Sequence, residues 1–176
     1  QRQMCIRDRP FIDEIFSECR LLKSDLDAVS VSGGPGSYTG LRIGVATAKG
    51  ICHALSIPLI SVDTLCVLKH EAVSLLPGKE AYVSMLDARR MEVYTKTFTK
   101  EYSSEVEAIV VDTTTKSAFD EYNTICFIGD GAEKCRELLA SEGRDFIQTY
   151  PKPEYALDLA ISAFEKKDYV DLASYE

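Results

Sequence analysis

The sequence is poor in the residues that build metal and hydrolytic sites. Among 176 residues there are two histidines, His53 and His70, and none of the six cysteines belongs to a Cys-x-x-Cys pair. No zinc-ligand spacing is therefore present. HExxH is absent, and so is any Ser–His–Asp or Cys–His arrangement that would suggest a hydrolase. The one glycine-rich turn is not closed by Gly-Lys-Ser/Thr, so it is not a Walker A loop. Basic residues are in the minority: 20 Lys and Arg against 28 Asp and Glu give a net charge of −8. Gripping a nucleic-acid backbone unaided needs clustered cations, and this balance argues against it. No apolar run approaches the length of a membrane-spanning helix, and no internal repeat or low-complexity segment stands out.

What is present is an ordinary globular composition, 45% hydrophobic and 27% charged, with enough length for a real core in one domain or two small lobes. The chain is organised around Ser32-Gly-Gly-Pro-Gly-Ser-Tyr-Thr-Gly-Leu-Arg-Ile-Gly-Val-Ala-Thr-Ala-Lys-Gly-Ile51. A short β-branched strand over 28–31 leads into it. Gly33, Gly34 and Gly36 permit backbone angles closed to other residues, and Ser37 or Thr39 can cap the helix that follows. Along that helix Gly40, Gly44, Ala48 and Cys52 recur every fourth residue and form a ridge of small side chains. Leu41, Val45 and Leu55 flank it on one side, Ile43, Thr47, Ile51 and Ala54 on the other. Only Arg42, Ala46, Lys49 and His53 make a more polar strip. Glycine inside a helix costs about 1 kcal/mol relative to alanine, so two on one ridge predict that something packs close to the backbone. A helix this apolar is expected to be covered on two sides: by its own sheet, and by a second helix from this chain or from a partner.

The stretch Gly34-Pro-Gly-Ser-Tyr-Thr-Gly-Leu-Arg-Ile-Gly-Val-Ala-Thr-Ala-Lys-Gly50 closely resembles the signature of the TsaB (YeaZ) family, within the glycoprotease-like (Gcp) superfamily. Met85-Leu-Asp-Ala-Arg-Arg-Met-Glu-Val-Tyr94 is similar to that family's hairpin entering its second half. Phe127-Ile-Gly-Asp-Gly-Ala-Glu-Lys-Cys135 is a third similar block, and the three occur in family order. The resemblance runs from about residue 10 to 176. It implies an α/β fold of two ribonuclease-H-like lobes, of the actin, sugar-kinase and Hsp70 type. It further implies a cytoplasmic, non-catalytic subunit of the machinery that makes threonylcarbamoyladenosine beside the tRNA anticodon. Such a pseudoenzyme would pair with the catalytic subunit TsaD, which holds the threonylcarbamoyl-adenylate, the metal and the acceptor adenosine. The resemblance further implies a TsaE-like ATPase as an additional partner, a homodimer when the chain is alone, and tRNA reached only through the complex. No cofactor or metal of its own is expected.

Residues 1–9 match no element and resemble translated sequencing adapter, so they are read as a non-native leader. Residues 10–78 are expected to be the rest of a first lobe and 79–176 a second lobe. Family members begin with a strand hairpin carrying an Ile-Asp-Thr-Ser type motif and end in a Pro-Phe-Tyr-rich tail. Neither is found, so a piece lacking part of its first sheet is expected.

A helix over 10–22 places Phe11, Ile12, Ile15, Phe16 and Cys19 on one face. By the resemblance, Phe11, Ile12, Ile15 and Cys19 join Gly40, Leu41, Gly44, Val45, Ala48 and Cys52 to form the face that docks on TsaD. The residues alone allow a plainer reading, in which both helices cover only their own sheet. Further strands are predicted over 59–62, 81–86, 92–98, 108–111 and 125–128. Helices are predicted over 63–76, 115–122, 132–142 and 153–167, giving a mixed sheet. The cysteines are expected to be reduced core thiols.

A rival reading makes the turn over 34–40 a nucleotide site, because a glycine-rich turn before a helix offers free N–H groups to an anion. Asp63 would then be the ribose-binding acid, although a helix N-cap is its simpler role. In the actin-like reading, Arg89 stands where the second phosphate loop wants glycine. Asp130 places an acid in the loop resembling the adenosine side, or else caps the helix after it.

Overall fold

Strand β3 (Ala81–Asp87) is apolar at nearly every position, and Ala81 to Leu86 are all buried. A strand buried on both faces belongs at the centre of a sheet, and β3 occupies that place. The computed structural model describes residues 8–175. Contacts group them into two compact units: the chain up to Val62 together with Asp158 onward, and Asp63–Leu157.

The second unit is a five-stranded sheet in the order β5-β4-β3-β6-β7, with β4 (Glu92–Phe98), β5 (Glu107–Val110), β6 (Ile125–Ile128) and β7 (Arg144–Ile147). β3–β4 and β4–β5 are antiparallel, whereas β3–β6 and β6–β7 are parallel. For clarity the helices are α1 (Asp8–Cys19), α2 (Tyr38–Leu55), α3 (Thr64–Leu75), α4 (Ala132–Leu139) and α5 (Leu157–Lys166). Leu65, Leu68 and Ala72 of α3 pack with Tyr82, Leu86, Phe98 and Ile128 on one face of the sheet. Ala132, Cys135 and Leu139 of α4 pack with Val83, Met85, Val93 and Phe127 on the other. The buried Ser84 hydroxyl donates to the Leu65 carbonyl at 2.7 Å, so this polar side chain is matched within the core. The buried Glu71 carboxylate accepts from Lys152 and from Thr149 Oγ1, tying the segment before the 3-10 turn Pro153–Tyr155 to α3.

Asp63 resolves as the N-cap of α3: Oδ1 accepts from the backbone of Leu65 (2.7 Å) and Cys66 (3.3 Å). Its other oxygen pairs with Lys96 Nζ at 2.9 Å. Burial works against the Lys96 charge, but the Asp63 carboxylate outweighs it and its pKa lies above the ordinary lysine value. Both carboxylate oxygens are thus engaged by the protein itself.

In the first unit, α2 packs on β1 (Val29–Gly34) and β2 (Leu59–Asp63). Ala48, Cys52 and Leu59 form the core, with Val29, Val31 and Leu172 packed around them. The chain's last stretch closes onto these strands. Val170 bridges Leu59, Tyr175 shares a 2.6 Å hydrogen bond with Ser61, and Lys49 Nζ donates to the Tyr175 carbonyl at 2.8 Å.

Several sequence expectations need correction. α1 starts at Asp8, so residues 8 and 9 of the expected leader are helical; residues 1–7 lie outside the described residues. A boundary near Gly78 was expected, but α3 packs on the five-stranded sheet and so groups with the second unit. The predicted helix over 115–122 is a 3-10 turn, Thr115–Phe119, and the one over 153–167 is the turn Pro153–Tyr155 followed by α5. β7 lies where no strand was predicted. Its first residues, Arg144 and Asp145, look like loop, but Arg144 donates to the Leu139 and Lys116 carbonyls and to Asp120, and Phe146 stacks on Phe127 at 4.9 Å. Pairing with β6 is what makes this short segment a strand. On β4, Tyr94 and Phe98 pack with Leu65 and Leu68 of α3, and Phe98 is buried. Five cysteines are described: Cys52, Cys126 and Cys135 are buried thiols, Cys66 is half-buried, and Cys19 is exposed.

Candidate partner-binding face

The glycine-rich turn is built as the sequence suggests: Gly34 and Pro35 are half-buried, and residues 36–40 are exposed. Gly34 has φ +101°, a left-handed angle that favours glycine. A Cβ on Gly33 would sit 2.0 Å from Ser61 Oγ and 2.6 Å from the Tyr175 hydroxyl, so glycine there admits the Ser61–Tyr175 pair. The Leu41 side chain packs beside the start of the turn, 3.2 Å from where a Gly34 Cβ would be. Ser37, not Thr39, is the N-cap of α2, accepting from the Gly40 N–H at 3.4 Å.

The small-residue ridge of α2 faces the chain's own strands. Ala48 and Cys52 are buried in the first unit's core, and a Cβ on Gly44 would meet Val31 Cγ2 at 3.9 Å. Val45 is buried, Leu41 half-buried, and a Cβ on Gly40 would meet Ser37. Ala48, Cys52, Gly44 and Val45 therefore support this chain's own packing rather than lying open. The neighbour that the ridge predicts is β1.

The open side of α2 is the strip Arg42, Ala46, Gly50, with His53 and Ala54. Nothing lies within 4 Å of a Cβ built on Gly50. Arg42 lies over the Tyr38 ring and donates to its hydroxyl at 2.7 Å. α1 lies beside this strip and splits its apolar residues. Ile12 and Phe16 turn toward α2, while Phe11 (48% exposed), Ile15 (58%) and Cys19 face outward. A cleft of about 430 Å³ runs between the two helices, lined by Ile12, Phe16, Ala46, Gly50, Ile51 and Leu55. Lys23 and Asp13, paired at 2.6 Å, stand at its margin. The missed residues had a signal. Ala46, Gly50 and Ala54 are a second run of small residues at four-residue spacing, although the sequence puts Ala46 in the polar strip and Ala54 on the flank with Ile43, Thr47 and Ile51.

The loops resembling a nucleotide site bind each other. The Asp130 carboxylate accepts from the Asp87 N–H at 2.9 Å and makes no cap on α4, whose N-cap is Gly131. Lys134 Nζ bonds the Asp87 carboxylate and the carbonyls of Arg90 (3.0 Å) and Glu92 (2.7 Å). That bond to Lys134 holds the Asp87 carboxyl below its usual value. A carboxylate with a lowered folded-state pKa contributes stability above its unfolded pKa of about 4 and loses it as pH falls through the lower folded value. The melting-temperature gap between wild type and Lys134→Met is accordingly largest near neutrality and closes as pH drops below about 4. Thermal melts at stepped pH measure it.

Comparisons with known proteins agree with this architecture. Residues 6–172 match the family described as TsaD: tRNA N6-adenosine threonylcarbamoyltransferase. The chain is 36% identical over 94 residues to the tRNA threonylcarbamoyladenosine biosynthesis protein TsaB of Haemophilus influenzae, covering 53% of this chain and 39% of that protein. To the protein of the same name from Bacillus subtilis it is 36% identical over 94 residues, covering 51% and 38%. The matched part is well under half the length of these curated relatives. The structure of YeaZ from Pseudomonas aeruginosa superposes with TM-score 0.80 at 21% identity, covering 98% of this chain and 83% of that one. The fold is therefore the ribonuclease-H-like one of YeaZ, and the chain, with curated relatives named TsaB, belongs to the family described as TsaD: tRNA N6-adenosine threonylcarbamoyltransferase.

Proposed function

We propose that the chain is a partner subunit in tRNA threonylcarbamoyladenosine biosynthesis, pairing with a TsaD-like catalytic subunit and supporting that subunit's active conformation. The observation that carries this reading is the α1–α2 face: apolar, grooved and uncovered by the described residues of this chain, with Phe11 and Ile15 exposed beside Ala46 and Gly50. Exposed apolar surface rimmed by polar groups marks an interaction site. The names of the relatives say which process the partner serves. The pairing acts through a difference in contact energy between the catalytic subunit's states. A cytoplasmic location is part of the proposal, on the strength of the family resemblance alone.

A non-catalytic role is part of the proposal. It is supported by the mutual bonding of Asp87, Asp130 and Lys134, which engages the groups that would face a nucleotide. The rival nucleotide reading lacks a free acid at Asp63, which is occupied by α3 and Lys96. A TsaE-like ATPase and a homodimer through the same face are further proposed partners.

The test mixes the chain with TsaD from the same source and weighs the species by light scattering after size exclusion. A heteromer that persists when tRNA and ATP are withheld is the expected result. Separate species, with nucleotide bound by this chain alone, would favour the enzyme reading instead.

A further inference from the structure

A second concavity lies within the second unit. It is a cleft of about 480 Å³ between β4, β5 and the Thr115–Phe119 turn. At its base stands Thr95, which is 6% exposed, and its hydroxyl has no hydrogen-bond partner among the described residues. A buried hydroxyl left unpaired loses its hydration with no hydrogen bond in return, and natural cores rarely leave one without a reason. The remaining lining combines hydroxyls, acids, aromatic rings and apolar side chains. Glu107 and Glu121 bring carboxylates, Tyr102, Tyr122 and Phe119 bring rings, and no described residue lining the cleft is basic. Burial pushes the Tyr122 phenol up to about 12, with the Glu121 carboxylate and Tyr102 adding to the rise. Carboxylates beside aromatic faces select a cation, through Coulomb attraction and the ring quadrupole.

We propose that this cleft binds a primary ammonium on an alkyl stem, its charge held between Glu107 and Glu121, its stem along Ile109 and Phe119, and the Thr95 hydroxyl as its deepest polar contact. The volume falls in the range of small-molecule sites. The ammonium could belong to a free polyamine or to a lysine side chain of a partner protein. The site is independent of pairing with a catalytic subunit.

Isothermal titration of the full chain uses two probes: spermidine for the free amine, and acetyl-Gly-Lys-Gly-amide for the side chain. One-to-one binding of either is expected, and the tighter probe names the source. Glu107→Gln with Glu121→Gln weakens that binding at least tenfold, whereas Glu137→Gln with Glu165→Gln, exposed carboxylates elsewhere, leaves it unchanged. Thr95→Val keeps the side chain's shape, removes the unpaired hydroxyl and weakens binding severalfold without lowering the melting temperature. Binding of neither probe, equal losses in both glutamate pairs, or wild-type affinity in Thr95→Val each overturn the proposal.

Discussion

Gly50→Leu abolishes pairing with a TsaD-like subunit while raising the chain's own melting temperature. The two effects have opposite signs because they come from different surroundings. Within the chain, Gly50 is exposed, sits inside α2, and has nothing within 4 Å of the position of an added Cβ. Leucine there meets no clash and removes the backbone entropy cost of a helical glycine, a gain of about 0.5–1 kcal/mol. Across the proposed interface the same side chain stands on the ridge of Ala46, Gly50 and Ala54, where a partner helix would approach the backbone. An intruding leucine costs about 3 kcal/mol or more, which is at least about a hundredfold in affinity. Gly44→Leu is the contrasting variant. It presses on Val31 of β1, so it lowers stability and reports on the fold before the interface. Thermal melts and light scattering with TsaD separate the two variants. A Gly50→Leu chain that pairs at wild-type strength would remove Ala46–Gly50–Ala54 from the interface.

Gly129→Ala unfolds the second unit at markedly lower denaturant, by about 3 kcal/mol or more. Two penalties coincide at this residue. Its φ is +125°, and a Cβ would lie 2.0 Å from the Met85 carbonyl oxygen. Met85 is in the central strand, and its carbonyl already accepts from the Gly131 N–H at 3.1 Å. The strand cannot retreat without breaking that bond and the packing beneath it. Gly78→Ala supplies the control, since Gly78 also has positive φ (+83°) but open space around it. It costs only the backbone penalty, roughly 1–2 kcal/mol. Urea titration of both variants measures the difference. A gap under about 1 kcal/mol would mean that the 129–131 loop is not held against β3 as described. The same geometry explains the glycines of the block resembling a nucleotide loop: in this chain they admit the close approach of the loop to the β3–β4 hairpin.

Local physics made most of the elements legible in the sequence. The run of buried positions in β3, the Asp63 cap before α3, the Ser37 cap before α2 and the apolar periodicity of α1 and α2 each depend on neighbours within a few residues. The long glycine-rich signature was specific enough to carry the family. What the tertiary structure alone decided is direction. Periodicity shows that a helix has an apolar stripe, but not which part of a wide stripe meets the protein and which meets solvent. The Gly44–Ala48–Cys52 ridge turned out to lie on β1 and β2, and the Ala46–Gly50–Ala54 ridge to lie open, because both satisfy the same four-residue spacing. α1 likewise divided one predicted face into Ile12 and Phe16 inside, and Phe11, Ile15 and Cys19 outside. β7 is a strand because β6 offers it an edge, and Lys134 reaches Asp87 only because the hairpin and the 129–131 loop converge. Each of these rests on residues distant in sequence, whose approach no local pattern encodes.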